Sequence, residues 1–81
     1  MLHGMTDEEF KEKFAEVIGQ DAGSFELTTP LSTLEGWDSV AYLGLTVMIE
    51  ESMGVAIAPD ALMNAATPQE LLDAAVSLAN K

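Results

Sequence analysis

Three helix-start signals divide this chain and limit what it can fold into more than any other feature. Thr6-Asp7-Glu8-Glu9 has the form of a capping box, a threonine N-cap with a glutamate three residues later. Phe10, Phe14, Val17 and Ile18 then fall at i, i+4, i+7 and i+8, one apolar stripe that Gly19 terminates. The acids of the first turn suit the positive end of the helix dipole. Asp38 is a second N-cap, heading a helix expected to reach about Met53 and to close at Gly54. Thr67-Pro68-Gln69-Glu70 is the clearest signal: a cap, proline in the first helical position and glutamate in the third. Leu71, Leu72, Ala75, Val76, Leu78 and Ala79 follow as the buried side of that helix. Before it, Val55 to Pro59 reads as extended and Asp60 to Ala65 as one or two helical turns. The expected fold is all-α, a bundle of three principal helices and one short one.

The first connection is long. From Gln20 to Trp37 no period is sustained, and Gly23, Ser24, Pro30 and Gly36 punctuate the stretch. Leu27, Leu31 and Leu34 are placed to pin it to a core, so an ordered loop is expected. Connections of this length in small domains are unusual and often functional. The helix that follows is apolar around most of its circumference. Val40, Leu43 and Val47 make one stripe, with Leu45, Met48 and Ile49 beside it. Such a helix is either central to the bundle or partly offered to partners.

A length of 81 residues leaves room for one core, and residues 1–81 read as a single domain whose first five residues form a flexible tail. A core this small makes the fold marginal. The hydrophobic fraction of 48% is nonetheless that of a globular protein, not of a disordered acidic segment. The absence of cysteine excludes disulfides and thiolate chemistry from the protein itself. No apolar run approaches a membrane span and the start lacks a signal pattern, so a soluble, cytoplasmic protein is expected. Nothing in the sequence demands an oligomer, and a monomer is expected. Fourteen acidic residues against 3 basic ones give a formal net charge of -11. That charge repels nucleic acid and anionic lipid and favours basic patches on other proteins. It would also serve solubility alone.

The usual catalytic arrangements find little support. A serine nucleophile needs a base to take its proton, and the single histidine, His3, lies in the expected tail. Gly36-Trp37-Asp38-Ser39-Val40 does not match the hydrolase elbow G-x-S-x-G. One histidine, no cysteine and no calcium-loop spacing argue against a metal site. What remains is Asp38-Ser39, which puts a hydroxyl in the first helical turn near unpaired backbone N–H groups. A phosphate ester would be favoured there by the helix dipole and those donors. Read alone, Asp38 is an ordinary cap and Ser39 a neutral first-turn residue, and the dipeptide by itself favours that plain reading. Glu50 and Glu51 lie near the other end of the same helix, where the dipole disfavours each by a few tenths to about 1 kcal/mol. They fit a binding surface or a solubilising face equally well.

At this point the sequence resembles the acyl carrier and peptidyl carrier proteins. Gly36-Trp37-Asp38-Ser39-Val40 looks like the family's Asp-Ser-Leu attachment motif with valine for leucine. Met48-Ile49-Glu50-Glu51-Ser52-Met53-Gly54 is similar to the acidic end of its second helix and the turn beyond. Val55-Ala56-Ile57-Ala58-Pro59-Asp60 looks like its extended segment before the third helix, and Ala66-Thr67-Pro68-Gln69-Glu70-Leu71 like the start of its fourth. Leu31-Ser32-Thr33-Leu34 matches the return of the family's first loop to the core. The tripeptide alone is a weak signal; length, acidity, helix order and the spacing to Thr67 make it specific, over nearly the whole chain from Thr6.

The resemblance implies that Ser39 carries 4′-phosphopantetheine, received from coenzyme A through a separate magnesium-dependent phosphopantetheinyl transferase. The arm's thiol would hold acyl or aminoacyl groups as thioesters, and tethering would deliver them at high local concentration. Asp38 would cap the helix and help present Ser39. Val40, Met48, Glu50, Glu51 and Met63 would line the face read by loading and transfer enzymes with basic docking patches. Two departures bear on the cargo. Fatty-acid carriers commonly place acids soon after the serine, where this chain has Ala41, Tyr42 and Gly44. Trp37 ahead of the aspartate looks more like specialised or peptide-type carriers. Both tilt the expectation from fatty-acid or polyketide cargo towards an aminoacyl or specialised one. The competing function is an unmodified acidic helical adaptor for a basic partner; a small hydrolase using Ser39 lacks a base.

Overall fold

The computed structural model describes residues 6–80, so the expected tail at 1–5 lies outside the described residues. Helix α1 spans Asp7–Ile18, α2 Ser39–Met53, α3 Pro59–Asn64 and α4 Pro68–Ala79. Short 3-10 turns at Ala22–Ser24 and Leu31–Thr33 shape the long first connection. The expected bundle of three principal helices, one short helix and a long first loop is what the chain forms, without strands among the described residues.

Each principal helix begins where its cap was expected. The Thr6 hydroxyl accepts the Glu9 N–H at 3.1 Å, and the Glu9 carboxylate accepts the Thr6 N–H at 3.1 Å. Gly19, at φ 72°, closes α1 in a Schellman arrangement, with Gln20 N–H donating to the Ala15 carbonyl at 2.9 Å. The Thr67 hydroxyl caps α4 by accepting the Glu70 N–H. Glu70 itself reaches back one residue beyond the cap and accepts the Ala66 N–H at 2.9 Å. Helix α3 starts at Pro59, one residue before the expected segment, because proline is well suited to a first helical position.

Phe10, Phe14, Leu45, Ile49 and Leu71 are fully buried and form the centre of the core. Complete burial of such side chains stabilises by about 1.5–3 kcal/mol apiece. On α1 the buried set is Phe10, Phe14, Ala15 and Ile18, while Val17, expected in the stripe, is half-buried at its edge. Phe14 is the hub of the aromatic packing, with ring centroids of Phe10, Phe25 and Trp37 at 5.9, 5.7 and 5.5 Å.

The long loop is ordered, as expected, but not by leucines alone. Leu31 is buried and Leu27 and Leu34 are half-buried, while Phe25 is the second deep anchor. Leu27 also gives its carbonyl to the Gln69 N–H at 3.0 Å, satisfying one of the orphan donors at the head of α4. Leu31 N–H donates to the Ala66 carbonyl at 2.8 Å, so the loop is stitched to the segment leading into α4.

On α2 the core side is Ala41, Leu45, Ile49 and Met53, and the stripe of Val40, Leu43 and Val47 faces solvent. The helix is thus both central and partly offered outward. Gly44 sits where α2 crosses α1: a β-carbon there would lie 3.3 Å from Val17 Cγ1.

Candidate functional site

Ser39 is the first residue of α2, a helix of 15 residues, and its side chain is exposed. Asp38 adopts an extended backbone, φ -139° and ψ -170°, and its carboxylate accepts the Ala41 N–H at 3.0 Å. Its carbonyl accepts the Tyr42 N–H at 3.0 Å and so starts the helical ladder. The backbone N–H groups of Ser39 and Val40 have no acceptor among the described residues. No acid lies in the first turn of α2. The end of the helix around Ser39 therefore combines a free hydroxyl, free N–H donors and the positive end of the helix dipole, which is a favourable setting for a phosphodiester.

Trp37 fixes the approach to this end. Its ring is half-buried between Phe14, at a centroid distance of 5.5 Å, and Tyr42 of α2, at 4.7 Å. Tyr42 in turn forms part of a groove between α2 and α3. That groove, ≈ 330 Å³ in volume, is lined by Ser39, Tyr42, Leu43, Thr46, Pro59, Leu62 and Met63. Thr46 spends its hydroxyl on the Tyr42 carbonyl at 2.9 Å, leaving the wall almost wholly apolar. Ser39 stands at one end of it.

Of the residues expected on a partner face, Val40 and Met63 are prominently exposed, at 74% and 67%, and Glu50 and Glu51 are exposed towards the far end of α2. Met48 is half-buried and turns the other way. It lines a second groove, ≈ 350 Å³, between α1 and α2 with Lys13, Glu16, Val17, Gly44, Val47, Glu51 and Ser52. The expected face is therefore divided: Ser39 and Met63 share the α3 side, and Met48 and Glu51 share the α1 side. Tyr42, Leu43, Pro59 and Leu62 join the site only in the folded structure. Leu43 had a signal, its place in the Val40–Leu43–Val47 stripe; Pro59 and Leu62 had none, because the groove forms only when α3 folds against α2.

Among the described residues no charged or polar side chain is buried, and no three metal-ligating side chains gather. No helix of the described chain is long and apolar enough to cross a membrane. A small helical bundle whose central helix presents its N-terminal end beside an apolar groove has the architecture of a carrier domain. A family model described as the phosphopantetheine attachment site matches residues 8–75, and the chain belongs to that family. Domains of this family hold 4′-phosphopantetheine covalently, act in general as non-catalytic carriers, and interact with phosphopantetheinyl transferases and acyl-handling enzymes. A comparison with curated proteins and with solved structures finds no significant match.

Proposed function

We propose that Ser39 is the attachment residue and that the chain is a carrier with no catalytic activity of its own. The observation that carries this reading is the exposed Ser39 hydroxyl at the head of a 15-residue helix, with free N–H donors beside it. When bound, the arm supplies a terminal thiol that holds cargo as a thioester. Asp38 holds the backbone of Ser39 at the helix start, and Trp37 fixes the loop that leads to it. The exposed stripe Val40, Leu43 and Val47, flanked by Glu50, Glu51 and Met63, supports docking of enzymes with apolar contacts ringed by basic residues.

The groove favours one cargo class over another. Its walls of Leu43, Pro59, Leu62 and Met63 offer contact to an aliphatic chain. They offer nothing to the ammonium of an aminoacyl group, whose loss of hydration would go uncompensated. An acyl cargo is therefore the reading the groove supports, against the tilt towards an aminoacyl or specialised cargo drawn from Ala41, Tyr42, Gly44 and Trp37.

Incubation with coenzyme A, magnesium and a broad-specificity phosphopantetheinyl transferase tests the carrier reading by intact mass. The expected outcome is one phosphopantetheine on the wild type and none on Ser39→Ala. An unmodified wild type, with a known carrier loaded in the same tube, would favour the acidic adaptor. Cargo is tested by comparing amide spectra of the octanoyl-loaded and glycyl-loaded forms. Shifts at Leu62 and Met63 with octanoyl alone are expected; equal spectra would remove the preference for acyl cargo.

A further inference from the structure

The loop that delivers the chain to Ser39 is seated on the end of α1 by an unusually close backbone contact. Gly36 has φ 89°, and a β-carbon at this position would collide with the carbonyl oxygen of Ile18 and lie 3.0 Å from its carbonyl carbon. The seat exists only because residue 36 has no side chain. The other positive-φ glycines differ: at Gly19 and Gly54 a β-carbon would meet nothing within 4 Å. A second tie lies next to the first. The side-chain amide of Gln20, the residue just past α1's glycine stop, donates to the Glu35 carbonyl at 3.1 Å, while its oxygen accepts the Ser24 hydroxyl at 3.3 Å. From this seat only Trp37 and Asp38 separate Gly36 from Ser39, and Trp37 is held between Phe14 and Tyr42.

We infer that Gly36 and Gln20 are positioning residues for the modification of Ser39: the seat on Ile18 sets the direction from which the chain reaches α2, and with it the attitude of the Ser39 hydroxyl. The inference rests on Ser39 being the attachment residue. In the transfer, the Ser39 oxygen bonds to the phosphorus next to pantetheine in coenzyme A. The bond from that phosphorus to the bridging oxygen breaks, adenosine bisphosphate leaves with the electron pair, and the serine proton passes to a base of the transferase. The step is sensitive to where the hydroxyl points, so a loop pushed off Ile18 slows it even when α2 remains folded.

The test measures transfer kinetics on Gly36→Ala, Gln20→Ala and Gly54→Ala beside the wild type, with the melting temperature and the Trp37 emission of each unmodified protein. Gly54→Ala places a side chain at positive φ at the opposite end of α2 without a collision, so it separates the effect of positive-φ strain from loss of the seat, and the melting temperatures report any difference in stability. Gly36→Ala is expected to lower kcat about tenfold to a hundredfold. Its KM for the carrier should stay within about threefold, and its Trp37 emission should move to the red. Gln20→Ala should move both in the same direction by less, and Gly54→Ala should move neither. Wild-type kcat in Gly36→Ala and Gln20→Ala, or an equal loss in Gly54→Ala, would overturn the inference while leaving Ser39 as the attachment site. If Gly36→Ala does not fold, Gln20→Ala decides alone. A wild type that gains no arm would overturn both the attachment reading and this one.

Discussion

Asp38 caps the first turn of α2 with its carboxylate and stands beside the candidate attachment residue, so one side chain bears on both stability and loading. Its acceptance of the Ala41 N–H at 3.0 Å is an ordinary cap. Loss of such a cap destabilises by about 0.5–2 kcal/mol. For a domain of this size about 1 kcal/mol lowers the melting temperature by roughly 4–8 °C. Asp38→Ala is therefore expected to melt several degrees lower and Asp38→Asn to recover most of the loss, as thermal unfolding followed by circular dichroism would show. The two variants also separate cap from charge. Loading that recovers in Asp38→Asn together with the melting temperature assigns Asp38 a capping role. Loading that stays low there, with stability restored, assigns the role to its negative charge.

Helix α2 carries two features that a purely structural helix would avoid. Gly44 in its interior costs about 0.8–1 kcal/mol relative to alanine. The structure accounts for it: α1 passes so close that an alanine β-carbon would stand 3.3 Å from Val17 Cγ1. Val17 is only half-buried at the rim of the α1–α2 groove, so it has room to yield by a few tenths of an ångström. Gly44→Ala should thus raise the melting temperature by a few degrees. Gly44→Leu should lower it, since overpacking of a helix contact costs about 1–3 kcal/mol. A fall with alanine would mean that the α1–α2 spacing is fixed more rigidly than Val17's exposure implies. The other feature is the solvent-facing stripe Val40, Leu43 and Val47, which a purely structural helix would fill with polar residues.

At the scale of the molecule, charge dominates. The formal net charge is -11, and the Lys11–Glu26 contact at 3.4 Å, with Glu26 largely exposed, is the ion pair found among the described residues. The described chain measures 31 × 24 × 19 Å. At about 0.01 M salt the Debye length of about 30 Å spans the whole of it, and at 0.1 M it falls to about 10 Å. Carboxylates on opposite faces repel one another in the first condition and are largely screened in the second. The melting temperature at neutral pH is expected to rise steadily over that range of sodium chloride. A flat series would show that the repulsion is already relieved in the folded state.

The chain's local chemistry set its elements. Thr6, Asp38 and Thr67 cap helices where they stand, and Gly19 and Gly54 end them, because a cap involves only residues within one turn of each other. The position of Ser39 at the head of α2 was legible for the same reason. Contacts between residues distant in the chain were legible only in outline, as for the leucines that anchor the first loop. Which stripe of α2 meets the core, the burial of Phe25, the division of Met48 from Met63 and the groove closed by Pro59 and Leu62 depend on how helices cross. Gly36 shows the boundary most clearly. In the sequence it is one glycine among several in a loop; only the passage of that loop over the Ile18 carbonyl, eighteen residues back, makes the missing side chain a requirement.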